Sequence, residues 1–320
     1  MALNTIRPST SVMSAIDGST SCAQADDRVV IQIRTALDNA RSKDTLAGNR
    51  EDFFMRILAF ILALVASPVL AHESWLEPLD YQVEPDGRLE AEIVNGQEFT
   101  GVKLPYLPQR FVNFVVFAGD QSARVGGRPG DRPALNQAPL AEGLNIAAYQ
   151  AVNATVNYET LDKFESFVKH KDLGNAIAVH RERGLSEENF GEVYSRYSKT
   201  LIGVGNGAGS DRRVGLETEL VALTNPYTDD LSGGMRVQLF YRENVRANDQ
   251  IEVFEKDAGG RVAIATYRTN EQGVASFPVK PGYRYMVDAV VLRVPSEALQ
   301  DNTGTVWETL WANLTFAVPQ

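Results

Sequence analysis

Residues 262–292 read VAIATYRTNEQGVASFPVKPGYRYMVDAVVL. Three runs rich in apolar, β-branched and aromatic residues (262–268, 274–279 and 283–292) are separated by turn residues, the pattern of strands joined by tight turns. Gly273 allows a sharp reversal, Phe277 supplies core area, and Pro281-Gly282 fixes the next turn. The same pattern extends in both directions. Residues 216–223, 236–241 and 250–255 precede the stretch, with Gly259-Gly260 marking another turn, and 310–318 follows it. Strands at this spacing predict a compact β-sandwich over 214–320.

Further toward the N-terminus, 81–83 runs into Pro85-Asp86-Gly87, 89–94 into Asn95-Gly96, and 111–118 into Gly119-Asp120. These are strands ending in turns, and they predict a β-rich domain over 72–205. Within it, Phe164, Phe167, Val168, Leu173, Ile177, Val193, Tyr197 and Leu201 recur at roughly helical intervals. That periodicity predicts an insertion of two or three short helices over 160–202, with Gly184 ending one of them. The glycine-rich stretch GVGNGAGS (203–210) is the expected domain junction. The expected fold class is therefore mainly β: an N-terminal β-rich domain with a small helical insertion, then a C-terminal β-sandwich.

An export signal is legible ahead of these domains. From Met55, Arg56 precedes the apolar run 57–66, and Val69-Leu70-Ala71 forms a small-residue cleavage pattern. This is the order of a signal peptide over 55–71, cut after Ala71 so that the mature chain begins at His72. The apolar run is about ten residues, half of what a membrane-spanning helix needs, so no stable membrane insertion is expected after cleavage. Residues 1–54 are polar and read as a disordered or untranslated extension, with Met55 the expected initiator.

Charge and cysteine content exclude several classes. Seven basic and seven acidic residues precede residue 72, so the whole formal charge of −10 falls on 72–320. An acidic surface disfavours nucleic acid and mildly attracts cations. The single cysteine, Cys22, lies before the cleavage point, which leaves the mature chain without a disulfide or a thiolate ligand. It contains no Gly-x-Ser-x-Gly elbow, His-Glu-x-x-His motif or phosphate-binding glycine loop, and no enzyme activity is expected.

The chemistry-bearing residue is His72. Cleavage after Ala71 would place a free α-amine beside its imidazole, a pair that chelates nickel, cobalt, copper or zinc. Glu73 is a candidate oxygen ligand, and Glu77 a weaker one. His170 and His180 are the remaining histidines, candidates for a further nitrogen ligand. The expected partner is thus a metal ion or small solute. Tyr194, Arg196, Tyr197 and Lys199 are read as structural, as are Trp75, Trp307 and Trp311, because large aromatic side chains usually bury their area.

Six patches carry a family resemblance: AHESWLEP (71–78), NGQEFTG (95–101), YSRYSK (194–199), NPY (225–227), the 273–285 stretch and WETLWA (307–312). In these the chain resembles the DUF4198 family of exported bacterial proteins, which overlaps with the NikM-like periplasmic components of cobalt and nickel uptake. The resemblance implies a periplasmic location, an immunoglobulin-like or transthyretin-like C-terminal sandwich, and envelope transport components as partners. A non-catalytic interaction or scaffold module is the alternative.

Overall fold

A computed structural model describes residues 73–320. The expected extension 1–54, the signal peptide 55–71 and His72 lie outside the described residues. The described residues begin with β1 (Glu73–Pro78), β2 (Gln82–Val83), β3 (Leu89–Gln97) and β4 (Thr100–Leu104). Next come β5 (Phe111–Ala118), β6 (Gln121–Arg124), β7 (Leu135–Gln137), β8 (Gly143–Ala151) and β9 (Ala154–Thr160). Helices α1 (Leu161–His170) and α2 (Ala176–Glu182) lead into β10 (Glu188–Val204). The remainder is β11 (Thr218–Ala222), β12 (Met235–Tyr241), β13 (Asn244–Val245), β14 (Gln250–Lys256), β15 (Val262–Arg268), β16 (Val274–Phe277), β17 (Arg284–Arg293), α3 (Glu297–Thr303) and β18 (Trp307–Ala317). The fold is mainly β, as the patterning predicts, and the strands read at 111–118 and 262–268 fall where they were expected.

A ten-stranded mixed sheet, ordered β15-β14-β17-β18-β10-β8-β5-β6 with β2 and β9 also on β10, forms the centre. Alternation along its strands sends Val287, Leu314 and Leu201 to one face and Met286, Thr315 and Ile202 to the other. The first face packs on the smaller sheet of β11, β12, β13 and β16 through Val253, Val287 and Leu314 against Leu220, Val237 and Phe277. The second face is covered by the sheet of β1, β3, β4 and β7, with Leu76 and Ile93 on Val116 and Ile202, and Trp75 and Phe99 on Phe254 and Met286. The helices complete this cover. The α1 stripe Phe164, Phe167 and Val168 sits on Val290, Trp307 and Trp311.

Two expectations are corrected. Within 160–202 helix occupies only Leu161–His170 and Ala176–Glu182, whereas Glu188–Val204, expected to be helical as far as 202, is the 17-residue strand β10. Val193, Tyr197 and Leu201 are four apart, a spacing that a strand also places on one face; β10 pairs parallel with β18 and antiparallel with β9 and β8. The central sheet also runs without interruption from β5 and β6 to β14 and β15, so 72–205 and 214–320 contribute to one sheet within one compact unit. The glycine-rich stretch is a clamped loop: the Asn225 carboxamide donates to Gly207 O and Gly209 O, each at 2.9 Å, and the Tyr227 hydroxyl to Leu201 O at 2.6 Å. Among the described residues no helix is long and apolar enough to cross a membrane.

Candidate functional site

On the face covered by β1 and α1, a row of polar side chains crosses the central sheet. Glu252 on β14 opposes Asp288 on β17, Asp288 opposes Asn313 on β18, and Asn313 opposes Ser198 on β10. Directly opposed positions point the same way, so the row forms one strip. All four residues are buried. The strand β1 crosses above them, its backbone held from below by Ser198 Oγ donating to Ser74 O at 2.8 Å and Thr315 Oγ1 donating to Leu76 O at 2.6 Å. This places Glu73, the first residue of β1, over the acidic end of the strip.

The C-terminal end of α1 plugs the same place. Lys171 caps the helix, and Asp172 beyond it takes a left-handed conformation (φ 52°) that turns the chain away. The Lys171 ammonium contacts Glu252 Oε2, donates to Asp288 Oδ2 at 3.0 Å, lies 3.7 Å from Glu73 Oε1, and sits 4.8 Å from the centre of the Trp311 ring. Its side chain is only 4 % exposed. His170 Nε2 lies 2.9 Å from Glu252 Oε1 and, as the donor, fixes the orientation of the ring. A small cavity of about 50 Å³ opens here, lined by Glu73, Glu98, His170, Lys171 and Glu252 among others.

In this pocket three carboxylates face one ammonium and the His170 imidazole. Burial, then the neighbouring Asp288 charge, push the Glu73 carboxyl up to about 7. Burial also raises Asp288 despite Lys171 beside it. Burial acts to raise Glu252 too, but His170 and Lys171 together hold it below the usual carboxylate range. For Lys171, burial opposes the charge, yet Asp288, Glu252 and Glu73 more than offset it and keep the ammonium firmly protonated. The Glu252 hydrogen bond likewise raises His170. Glu73 Oε2 is buried without a hydrogen-bond partner in the protein, and the Asn313 carboxamide lies beside Asp288 and lowers it by a hydrogen bond.

The tip of the β3–β4 hairpin forms the rim. Glu98 (φ 51°) and Phe99 (φ 57°) both take left-handed backbone, which costs non-glycine residues on the order of 1 kcal/mol each. Packing holds them there: Phe99 is fully buried, edge-on to Trp75 at 5.5 Å and under the Lys256 ammonium at 4.9 Å, and Lys256 also donates to Phe99 O. Gly96 and Gly101 face each other across the hairpin, and a Cβ on Gly96 would fall 2.1 Å from Thr100 O. The motif NGQEFTG thus describes a close-packed hairpin whose strained tip presents Glu98 to the cavity.

Of the predicted ligands, the structure brings Glu73 and His170 together. His180 is a correction. It is fully buried against Phe164, Phe190 and Trp307; its Nδ1 accepts from Trp307 Nε1 at 3.0 Å, and its Nε2 donates to Ser186 O at 2.9 Å. With both nitrogens committed inside an aromatic core, it is a structural histidine. Glu77 is committed to Arg284, Lys256 and the Trp75 indole. Among the described residues, no group of three or more His, Cys, Asp or Glu side chains is arranged to hold a metal ion, and at this pocket Lys171 stands between the carboxylates. Sequence reasoning missed Glu252, Asp288 and Lys171. A roomier cavity of about 520 Å³, between β9, β10 and the approach to β18, is lined by uncharged residues such as Thr155, Asn157 and Asn189 and offers no comparable chemistry.

The model of a family described as "Domain of unknown function (DUF4198)" matches residues 69–293. The chain belongs to the DUF4198 family. No curated protein and no solved structure matches it significantly. The DUF4198 match takes in β1, the β3–β4 hairpin, α1, β14 and β17, and so spans every element around the pocket except β18, where Trp311 and Asn313 lie.

Proposed function

We propose that this DUF4198 protein is exported to the periplasm and binds a divalent transition metal, of the nickel and cobalt class or copper or zinc, at the pocket of Glu73 and His170, in connection with uptake. One observation carries the reading. Two residues far apart in sequence, each a candidate ligand on chemical grounds, line one acidic cavity. Glu73 and His170 would supply two of the donors such a metal needs. Glu73 Oε2 is buried and unpartnered. Glu252 accepts from His170 Nε2, the carboxylate–histidine arrangement that leaves the other ring nitrogen for a metal. His72 is one peptide link from Glu73, with Cα atoms about 3.8 Å apart, so processing after Ala71 would deliver an amine and an imidazole beside these two donors.

The test is calorimetric titration of nickel, cobalt, copper and zinc into protein beginning at His72, into the same protein carrying one extra N-terminal alanine, and into His170→Ala. The expected result is binding well below about a millimolar dissociation constant, weakened roughly tenfold or more in both altered proteins. Because the hydrogen bond to Glu252 raises the pKa of His170, a proton competes with a metal for its ring to higher pH than usual, and binding should weaken as pH falls. Equal affinity in all three proteins, or none tighter than millimolar, would refute the reading.

A further inference from the structure

The central sheet ends at β15, a seven-residue strand that pairs with β14 on one side and, among the described residues, with nothing on the other. Two hydrogen bonds at its ends fix the phase of the ladder: Asp257 N donates to Arg261 O at 3.0 Å, and Thr269 N to Asp249 O at 2.9 Å. Residues that bond an antiparallel neighbour alternate with residues that turn away from it. The odd positions from 261 to 269 therefore face β14, and Val262, Ile264, Thr266 and Arg268 direct their N–H and C=O groups to the open edge. Residues 263–266 are all exposed, Ile264 to 45 %. Open edges are ordinarily blunted by short length, lysine, proline or a bulge. At the far end of the same sheet β6 is four residues long and ends in Arg124, and the exposed edge strand β4 carries Lys103. In β15 such protection is missing: it pairs with β14 without a register shift, and its one charge, Arg268, is its last residue.

We propose that two copies of this chain pair through β15, edge to edge and antiparallel about a two-fold axis at Ala265, joining their central sheets into one. In that register the strand is complementary to itself, as a closed two-fold contact requires. Ile264 meets the partner's Thr266 and Val262 meets the partner's Arg268, so every outward donor finds an acceptor. Moving the axis to Ile264 leaves Arg268 unmatched within the strand, and moving it to Thr266 leaves Val262 unmatched. Between the bonded pairs, Ala265 faces its own copy and Ala263 faces the partner's Tyr267. Non-hydrogen-bonded positions bring Cα atoms to about 4.5 Å, where alanine fits. No like charges stand opposite each other, which would be destabilising. Charge is complementary as well. Glu98 is exposed, forms no ion pair among the described residues, and lines the small cavity together with Ile264. The partner's Arg268 arrives opposite Val262, the next position on that face; in its own chain Arg268 stays about half exposed beside Asp172. The contact uses none of the metal ligands proposed above.

The test is the oligomeric state of the full chain carrying Cys22→Ser, which removes its only cysteine. Sedimentation velocity should show a dimer with a dissociation constant of roughly 10 μM or tighter, and a chain still monomeric at about 100 μM overturns the proposal. Thr266→Pro deletes an outward N–H while keeping every bond to β14, because proline is tolerated where its nitrogen faces away from the ladder. It should weaken the dimer roughly tenfold or more. A folded Thr266→Pro that dimerises as tightly as its parent overturns the interface. Cysteine crosslinking with diamide reads the register without weakening the contact. Ala265→Cys puts two thiols on the axis at a spacing a disulfide accepts, whereas in Ala263→Cys they lie roughly 14 Å apart along the strands. Ala265→Cys should become a covalent dimer and Ala263→Cys should not. Crosslinking of neither, or of both alike, places the contact elsewhere and overturns the proposal.

Discussion

Replacing Glu192 by glutamine should stabilise the protein above neutral pH and leave it almost unchanged in acid. Glu192 lies fully buried on β10, where Oε2 accepts from the Tyr158 hydroxyl at 2.9 Å and Oε1 from the Thr309 hydroxyl. Burial outweighs these hydroxyls and the distant Arg196 charge and pushes its carboxyl up to about 7 from 4.5. A carboxyl raised on folding binds its proton more tightly in the native state. Its stabilisation is therefore complete below pH 4.5 and is lost as pH rises toward 7. At about 1.4 kcal/mol per pH unit the full loss is about 3 kcal/mol. Glutamine has nearly the same shape, still accepts from Tyr158, and can donate to Thr309 once that hydroxyl turns, and it never ionises. Urea denaturation of both proteins at pH 5 and pH 8 should give curves that nearly coincide in acid and separate by roughly 2–3 kcal/mol at pH 8, with E192Q the more stable. Subtracting one protein from the other cancels the parallel contribution of Glu73. A stability difference that is the same at both pH values would show that Glu192 does not titrate in this window, and the reasoning from burial would fail.

Other residues give sharp expectations. His180→Phe keeps the aromatic packing but strands the Trp307 indole and the Ser186 carbonyl, so it should cost about 2–4 kcal/mol in urea denaturation while leaving transition-metal affinity unchanged; a loss of affinity in the folded variant would return His180 to the ligand set. Gly96→Ala forces a Cβ against Thr100 O across the hairpin and should destabilise by about 1–3 kcal/mol or more, measured the same way. A neutral result at Gly96 would mean that the hairpin is wider than described.

Most of the strand framework was legible because one face of most strands is apolar and the turns carry glycine or proline. The reading failed at β10, for a physical reason. Its two faces carry Glu192, Ser198 and Lys199, all buried in polar clusters, so the alternation of apolar and polar residues that marks a strand is erased. What remained, Val193, Tyr197 and Leu201, fits a helix equally well. The candidate site divides in the same way. Glu73 and His170 were found from ligand chemistry, but Asp288 was passed over although it is a lone acid in the apolar run YMVDAVVL, a position where a charge is buried only if something compensates it. Lys171 and Glu252 had no such signal, because each sits among charged neighbours in sequence and only the crossing of α1 over β14 and β17 brings them together.

The position of β1 ties these observations to the N-terminus that cleavage after Ala71 would create. An acidic strip buried in a β-sheet would ordinarily be a liability, and here it is tolerable because one strand and one helix end supply its cover. Three side-chain hydrogen bonds fix that strand at Ser74 and Leu76: Ser74 Oγ donates to Val94 O at 3.0 Å, Ser198 Oγ to Ser74 O and Thr315 Oγ1 to Leu76 O. This anchoring would also order an N-terminus created by cleavage after Ala71, since chain ends are poorly ordered unless they are tied down. It makes sense if the residue before Glu73 has work to do at the pocket. Loosening the strand without touching any ligand is the way to separate this from simple packing. Ser198→Ala removes one anchor, about 1 kcal/mol of stability, and no charge. If β1 serves to present the N-terminus, this variant should weaken transition-metal binding several-fold in protein beginning at His72 and have no effect in protein carrying an extra N-terminal residue; an equal effect in both would mean that the anchoring serves the fold alone.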